Sequence, residues 1–192
     1  MSANQIPIPD SITELAGPSG GMVLVRNWRR GVRGPLWLMT LASLALLGYA
    51  VYGIKKSLAA EVIEWSGIIV IGGLMLTAGL LFVYVCIGMY INRTEFRVCD
   101  GELEIWNGPL PWRGNKTVKA KEMSALYVSE RSWTDRYSRT FASYELRMLD
   151  RENCYRRLAR GFHSAAEALF LEKRLEKLMK ISTKHVGGGY KG

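Results

Sequence analysis

Two long runs without a charged residue divide the chain. The first, Pro35 to Ile54 (PLWLMTLASLALLGYAVYGI), has no Asp, Glu, Lys, Arg or His over 20 residues. As a helix it would extend about 30 Å, the thickness of a bilayer's hydrocarbon core. The second, Gly67 to Ile91, continues for 25 residues without a formal charge. Only the segment 55–66, KKSLAAEVIEWS, separates them. Together they predict a transmembrane helical hairpin, because in lipid a helix satisfies all its backbone hydrogen bonds within one segment. Two buried helices of a soluble core are the alternative, but the rest of a 192-residue chain offers little to bury them.

Beyond Ile91 the pattern shortens to strands and turns. TEFRVC, Asp100-Gly101 and ELEIWN predict a hairpin around a favoured two-residue turn. NGPLPWRGN, with two prolines, reads as a loop or irregular edge, and KTVKAKEMSALYVSER as one or two further strands. SWTDRYSRT reads as a long polar loop. After it, ASYELRML and CYRRLARGF flank a turn at Asp150–Asn153. Ser164 and Glu167 form a capping-box pattern that predicts a helix start. Behind it Ala168, Leu171, Leu175 and Leu178 make one apolar stripe on a charged helix, the face expected against the sheet.

The chain's beginning is less regular. Residues 1–21 are polar and broken by prolines and glycines, without the charged and apolar regions of a secretory signal, and are expected to be a flexible tail. In 22–34 the run MVLVRNWRR reads either as an edge strand donated to the downstream domain or as an interfacial approach with Trp28 at headgroup depth. The expected organisation is therefore a tail, a basic approach over 22–34, helices over 35–54 and 67–91, a domain over 93–181, and a flexible tail over 182–192.

Charge sets the orientation. Arg26, Arg29, Arg30 and Arg33 precede the first helix, and Arg93 and Arg97 follow the second, whereas the connecting segment has Lys55 and Lys56 against Glu61 and Glu64. This bias predicts a multi-pass inner (plasma) membrane protein with both termini cytoplasmic. Trp37, Trp65, Tyr84 and Tyr90 fall where interfacial aromatic anchors are expected. Residues 93–192 carry 20 Lys and Arg against 13 Asp and Glu, a surplus of +7, suited to an anionic membrane surface. Arg93, Arg97, Arg113, Lys116, Lys119 and Lys121, with the four arginines before the first helix, are the expected lipid or partner contacts. No zinc-finger spacing or RNP-like strand points to nucleic acid.

Small residues mark where helices can approach: Ala42, Ala45 and Gly48 on the first, Gly72 and Gly79 on the second, with Cys86 on the same line. These faces serve the hairpin itself or dock another membrane protein; the sequence leaves both open. Neither membrane segment has an ionisable acid or base of the kind that marks an ion path or transport site.

Catalytic chemistry has little footing. Cys86, Cys99 and Cys154 fit no metal-ligand spacing and read as reduced structural thiols. His163 and His185 are not placed with a nucleophile, and no Gly-x-Ser-x-Gly, Walker-type or HExxH pattern occurs. No catalytic residue, cofactor site or metal site is expected.

The approach NWRRGVRG, the hairpin, EFRVCDGELEIW, YELRMLDRENCYRRLARG and HSAAEALFLEKRLEKL, in that order, resemble membrane-anchored bacterial PH-like domain proteins from Met22 to Ile181. The departure is the polar stretch Ser132 to Thr140. The resemblance implies a membrane α-helical hairpin plus an α+β cytoplasmic domain, a PH-like small β-barrel or sandwich capped by a C-terminal amphipathic helix. It transfers no ligand, because such folds serve many partners. The function expected is a non-catalytic accessory, scaffolding or assembly subunit of a larger membrane complex, docking through hairpin and domain to other integral membrane subunits. Recognition of anionic lipid headgroups is the alternative.

Overall fold

The structure, a computed structural model, describes residues 7–17, 21–31, 36–59 and 72–181. Arg33, Glu61, Glu64, Trp65, the tail 182–192 and its His185, expected features all, lie outside the described residues. The chain forms two compact units, Val32–Ile91 and a second made of Met1–Gly31 with Asn92–Gly192.

The helical unit contains α2, Leu36–Leu58, and α3, Gly73–Ile91, which follow the short α1, Trp28–Gly31. Both α2 and α3 are long and apolar enough to cross a membrane. They run antiparallel: Gly72 faces the Ile54 side chain, and a Cβ on Gly79 would stand 2.9 Å from Leu47 Cδ2. Ser43, Ala50, Cys86 and Gly88 are buried within this unit. The small residues singled out in the sequence divide between two situations. Gly72 and Gly79 do meet the other helix, but Ala42, Ala45 and Gly48 are exposed, and nothing lies within 4 Å of a Cβ built on Gly48. The seam instead uses Ser43, Leu47, Ala50 and Ile54, spaced four and three apart, one face of a helix.

The other unit has two separate antiparallel sheets and not one closed barrel. The first holds β1 (Ile12–Ala16), β2 (Met22–Asn27), β3 (Arg93–Cys99), β4 (Glu102–Gly108) and β5 (Lys116–Lys119) in that order. The second holds β6 (Met123–Thr134), β7 (Thr140–Asp150) and β8 (Tyr155–Phe162). Asp100 and Gly101 both have positive φ, as the two-residue β3–β4 turn requires. Inner faces follow strand alternation: Leu24, Phe96, Leu103 and Ile105 meet Leu126, Val128, Leu146, Met148 and Phe162. Helix α4, Ala165–Met179, lays Ala168, Leu171 and Leu175 on this core.

Three expectations change here. The stretch read as a flexible tail contains β1, paired with β2 from Ile12↔Arg26 to Ala16↔Met22. The run read as an edge strand or interfacial approach is β2, an interior strand, because β3 occupies its other side from Met22↔Val98 to Asn27↔Arg93. The polar stretch read as a long loop, Ser132 to Thr140, is strand at both ends, with β6 and β7 paired out to Thr134↔Thr140 and the loop confined to residues 135–139. Both faces of that extension are solvated, so its polarity carries no alternation to read.

Candidate functional site

The sheet unit presents three charged assemblies, and only part of the expected basic cluster is available to a ligand. Arg26 is the clearest correction. On the inward face of β2 it is 7 % exposed, with Nε 2.8 Å from Glu167 Oε1. Its Nη2 donates to the Gly161 carbonyl at 2.6 Å, and its guanidinium lies 4.4 Å from the Phe162 ring centre. Ser11 Oγ donates to the same Glu167 oxygen at 2.8 Å. Arg26 is therefore an internal tie among β1, β2, β8 and α4, and not a surface contact. The capping box fails for the same reason: Ser164 is the N-cap residue but makes no side-chain cap hydrogen bond. The Glu167 carboxylate is turned to the buried guanidinium, a charge-assisted bond stronger than a cap.

The outer face of the first sheet neutralises more of the cluster. Glu95 is buried beneath Arg93 and Arg97, each 2.7 Å from one of its oxygens, and Arg97 also meets Glu104 at 3.4 Å. Hydrogen bonding to Glu95 raises the Arg97 pKa above its usual value. Lys119 pairs with Glu102 at 3.3 Å, directly across the β4–β5 ladder. Lys116 donates to the Arg157 carbonyl, linking the two sheets. Arg29, Arg113 and Lys121 are exposed and make no ion pair among the described residues. Arg30 lies in α1, and its side chain is outside the described residues.

Both connections to the helical unit leave from one place. Trp28 N–H points to the Asn92 carbonyl at 3.5 Å, the next step of the β2–β3 ladder. Trp28 Nε1 donates to Thr94 Oγ1 at 2.8 Å, which donates to Asn107 Oδ1 at 2.7 Å. Asn92 is buried and accepts from the Leu110 N–H at 2.8 Å, while the Trp112 ring stands edge-on to Trp28. The 22–34 approach thus ends in an aromatic and amide knot rather than in a free interfacial tryptophan.

The third assembly was missed in the sequence. On the outer face of the second sheet, buried Glu145 pairs with Arg147 at 2.8 Å and Arg157 at 3.6 Å. Beside it lies a cleft of about 350 Å³ lined by Arg131, Trp133, Ser143, Glu145, Arg160 and Gly161. The Arg131 and Arg160 guanidiniums have no ion pair among the described residues. At the cleft's outer edge Trp133 stacks on Phe141 at 5.9 Å, and Tyr137 stands 78 % exposed at the turn. Asp135 Oδ1 shapes that turn by accepting from the Tyr137 and Arg139 amides. The signal available in the sequence was the alternation of Arg131 with Trp133, mirrored by Phe141 with Ser143.

Among the described residues no group of three or more His, Cys, Asp or Glu side chains could hold a metal ion, and the three cysteines are free thiols. Burial, then the neighbouring Glu176, pushes the Glu172 carboxyl on α4 up to about 7, against a hydrogen bond from the Val128 backbone and the nearby Lys173. The folded state therefore keeps a proton that the unfolded chain releases from about pH 4.5 upward. Its contribution is complete below that pH and is lost as pH rises through 7. Glu172→Gln is expected to flatten this decline and to stabilise the protein at mildly alkaline pH by about 1 kcal/mol, the full shift being discounted for partial solvation. Denaturant midpoints across that pH range for both proteins measure it.

No protein-family model matches the chain, and no curated protein matches it.

Proposed function

We propose that this chain is a non-catalytic accessory subunit that crosses a membrane twice and holds a PH-like scaffolding domain against the membrane surface. The observation that carries this reading is the placement of the helical pair. It is inserted in the turn between two neighbouring strands, with Trp28 and Asn92 hydrogen-bonded at its base. A domain joined at two adjacent points has far less orientational freedom than one on a single linker, which suits a module that must present a fixed face to a partner. The two sheets and the C-terminal helix support the PH-like part of the reading, and the basic flanks support cytoplasmic termini. Ala42, Ala45 and Gly48, unused by the hairpin, offer a small-residue surface to another membrane helix.

Extraction of native membranes in mild detergent, followed by sizing, tests this. The protein is expected in an assembly much larger than its own 21.6 kDa, and Gly48→Leu is expected to release it. A small species under every mild condition would defeat the reading.

A second reading, recognition of anionic headgroups, is favoured by Arg29, which is exposed one residue beyond Trp28, and by Arg113, which is exposed next to the Trp112 ring that packs on Trp28. Flotation of the protein on liposomes that is indifferent to anionic lipid would remove it.

A further inference from the structure

We propose that the tip of the β6–β7 hairpin is an interfacial anchor for anionic phospholipid, with Arg131 and Arg160 holding a lipid phosphate and Trp133, Tyr137 and Phe141 entering the headgroup layer. This deepens the headgroup reading and rests on α2 and α3 crossing the membrane.

Position is the first argument. Arg26 stands two residues before Trp28, where the chain leaves for the helical unit, and its guanidinium touches the Gly161 carbonyl at 2.6 Å. Gly161 and Arg160 form one wall of the cleft, and Arg131 and Trp133 form the other. The β6–β7 ladder then continues past Tyr144↔Phe162, where β8 ends, out to Thr134↔Thr140. The tip therefore projects from the same end of the sheet unit as the two chain connections. The Asp100-Gly101 turn and Cys154 belong to the opposite end, because β3 runs away from Asn92 and β8 runs towards Gly161.

Composition is the second argument. Trp133, Tyr137 and Phe141 are 52 %, 78 % and 44 % exposed, a cost in water that an interface repays, since aromatic rings of this kind partition to headgroup depth. The guanidiniums of Arg131 and Arg160 lack a carboxylate partner among the described residues, and Glu145, the one acid in the cleft, is already engaged by Arg147 and Arg157. Two free guanidiniums beside the Ser143 hydroxyl match a phosphodiester by charge and by hydrogen-bond geometry. Aromatic rings flanking this charge favour a bilayer interface over an acidic peptide, which would leave the rings in water.

The test uses the full chain in nanodiscs of phosphatidylcholine alone or mixed in equal parts with phosphatidylglycerol. A fluorophore sensitive to its surroundings is placed at Tyr137→Cys, with Cys86→Ala, Cys99→Ser and Cys154→Ser. Native Cys154 as the only thiol supplies the distal control, and Gly48→Cys reports the helical unit. The label at 137 is expected to shift blue and to be quenched by spin-labelled lipid when phosphatidylglycerol is present, while the label at 154 stays aqueous. Arg131→Gln and Arg160→Gln are each expected to lower the docked fraction about fivefold, and added salt to lower it further. An aqueous label at 137 with a quenched label at 48 overturns this proposal alone. Aqueous labels at both positions overturn the membrane reading with it. Shielding at 137 that needs an added acidic protein, and not lipid, also overturns it.

Discussion

Glu167→Ala is expected to destabilise the sheet unit by about 3–5 kcal/mol, the usual result of removing one partner from a buried ion pair. The mechanism is specific. Arg26 has no route to water at 7 % exposure, so its charge would remain buried without its carboxylate, and Ser11 would lose its acceptor. The converse change, Arg26→Ala, would strand Glu167 and also free the Gly161 carbonyl that Nη2 now satisfies. The double replacement Arg26→Met with Glu167→Leu is expected to recover most of the loss, since apolar side chains of similar volume need no partner. Tryptophan fluorescence during denaturant unfolding of the detergent-solubilised protein reads all three, and Trp28, Trp106 and Trp112 report the correct unit. A cost below about 1 kcal/mol for Glu167→Ala, the value typical of surface pairs, would mean that the pair is solvated.

That pair also illustrates where sequence reasoning stops. Elements whose information is local were legible: the two apolar helices, the Asp100-Gly101 hairpin, the turn after Asp150, and the stripe of α4. Glu167 was legible only as a cap, because spacing of three from Ser164 is a local pattern. Its true partner is 141 residues away. The β2–β3 ladder was hidden in the same way. Antiparallel neighbours announce themselves through a short turn, and here the turn is replaced by two membrane-length helices. Val23 and Val25 alternate as a strand should, yet nothing nearby says what they pair with. Arg93, Arg97 and Lys119 looked like a free basic patch because the acids that neutralise them alternate on the same face, and face sharing across strands depends on register. The hairpin tip was misread for the opposite reason. Its residues are exposed on both sides, so polarity was taken for absence of structure.

A chain beginning at Arg93 is expected not to fold, whereas one in which Asn-Gly joins Trp28 directly to Asn92 is expected to be soluble and folded. The first lacks β1 and β2. It loses Ile12 and Leu24 from the core, each worth about 2 kcal/mol of burial. Deleting Arg26 leaves Glu167 buried without a counterion at a further 3–5 kcal/mol or so, and β3 loses its neighbour along its whole length. Together these approach the whole stability of a domain this size, about 5–15 kcal/mol. The second keeps every one of these contacts. Trp28 and Asn92 already face each other as the closing pair of an antiparallel ladder, and a two-residue Asn-Gly turn has the twist such a ladder needs. Amide chemical-shift dispersion and slow hydrogen exchange in β2 and β3 would identify the folded product. If the chain starting at Arg93 gave equally dispersed spectra, the first two strands would be an ornament on a self-sufficient domain, and the helical pair would be an appendage rather than an insertion in its sheet.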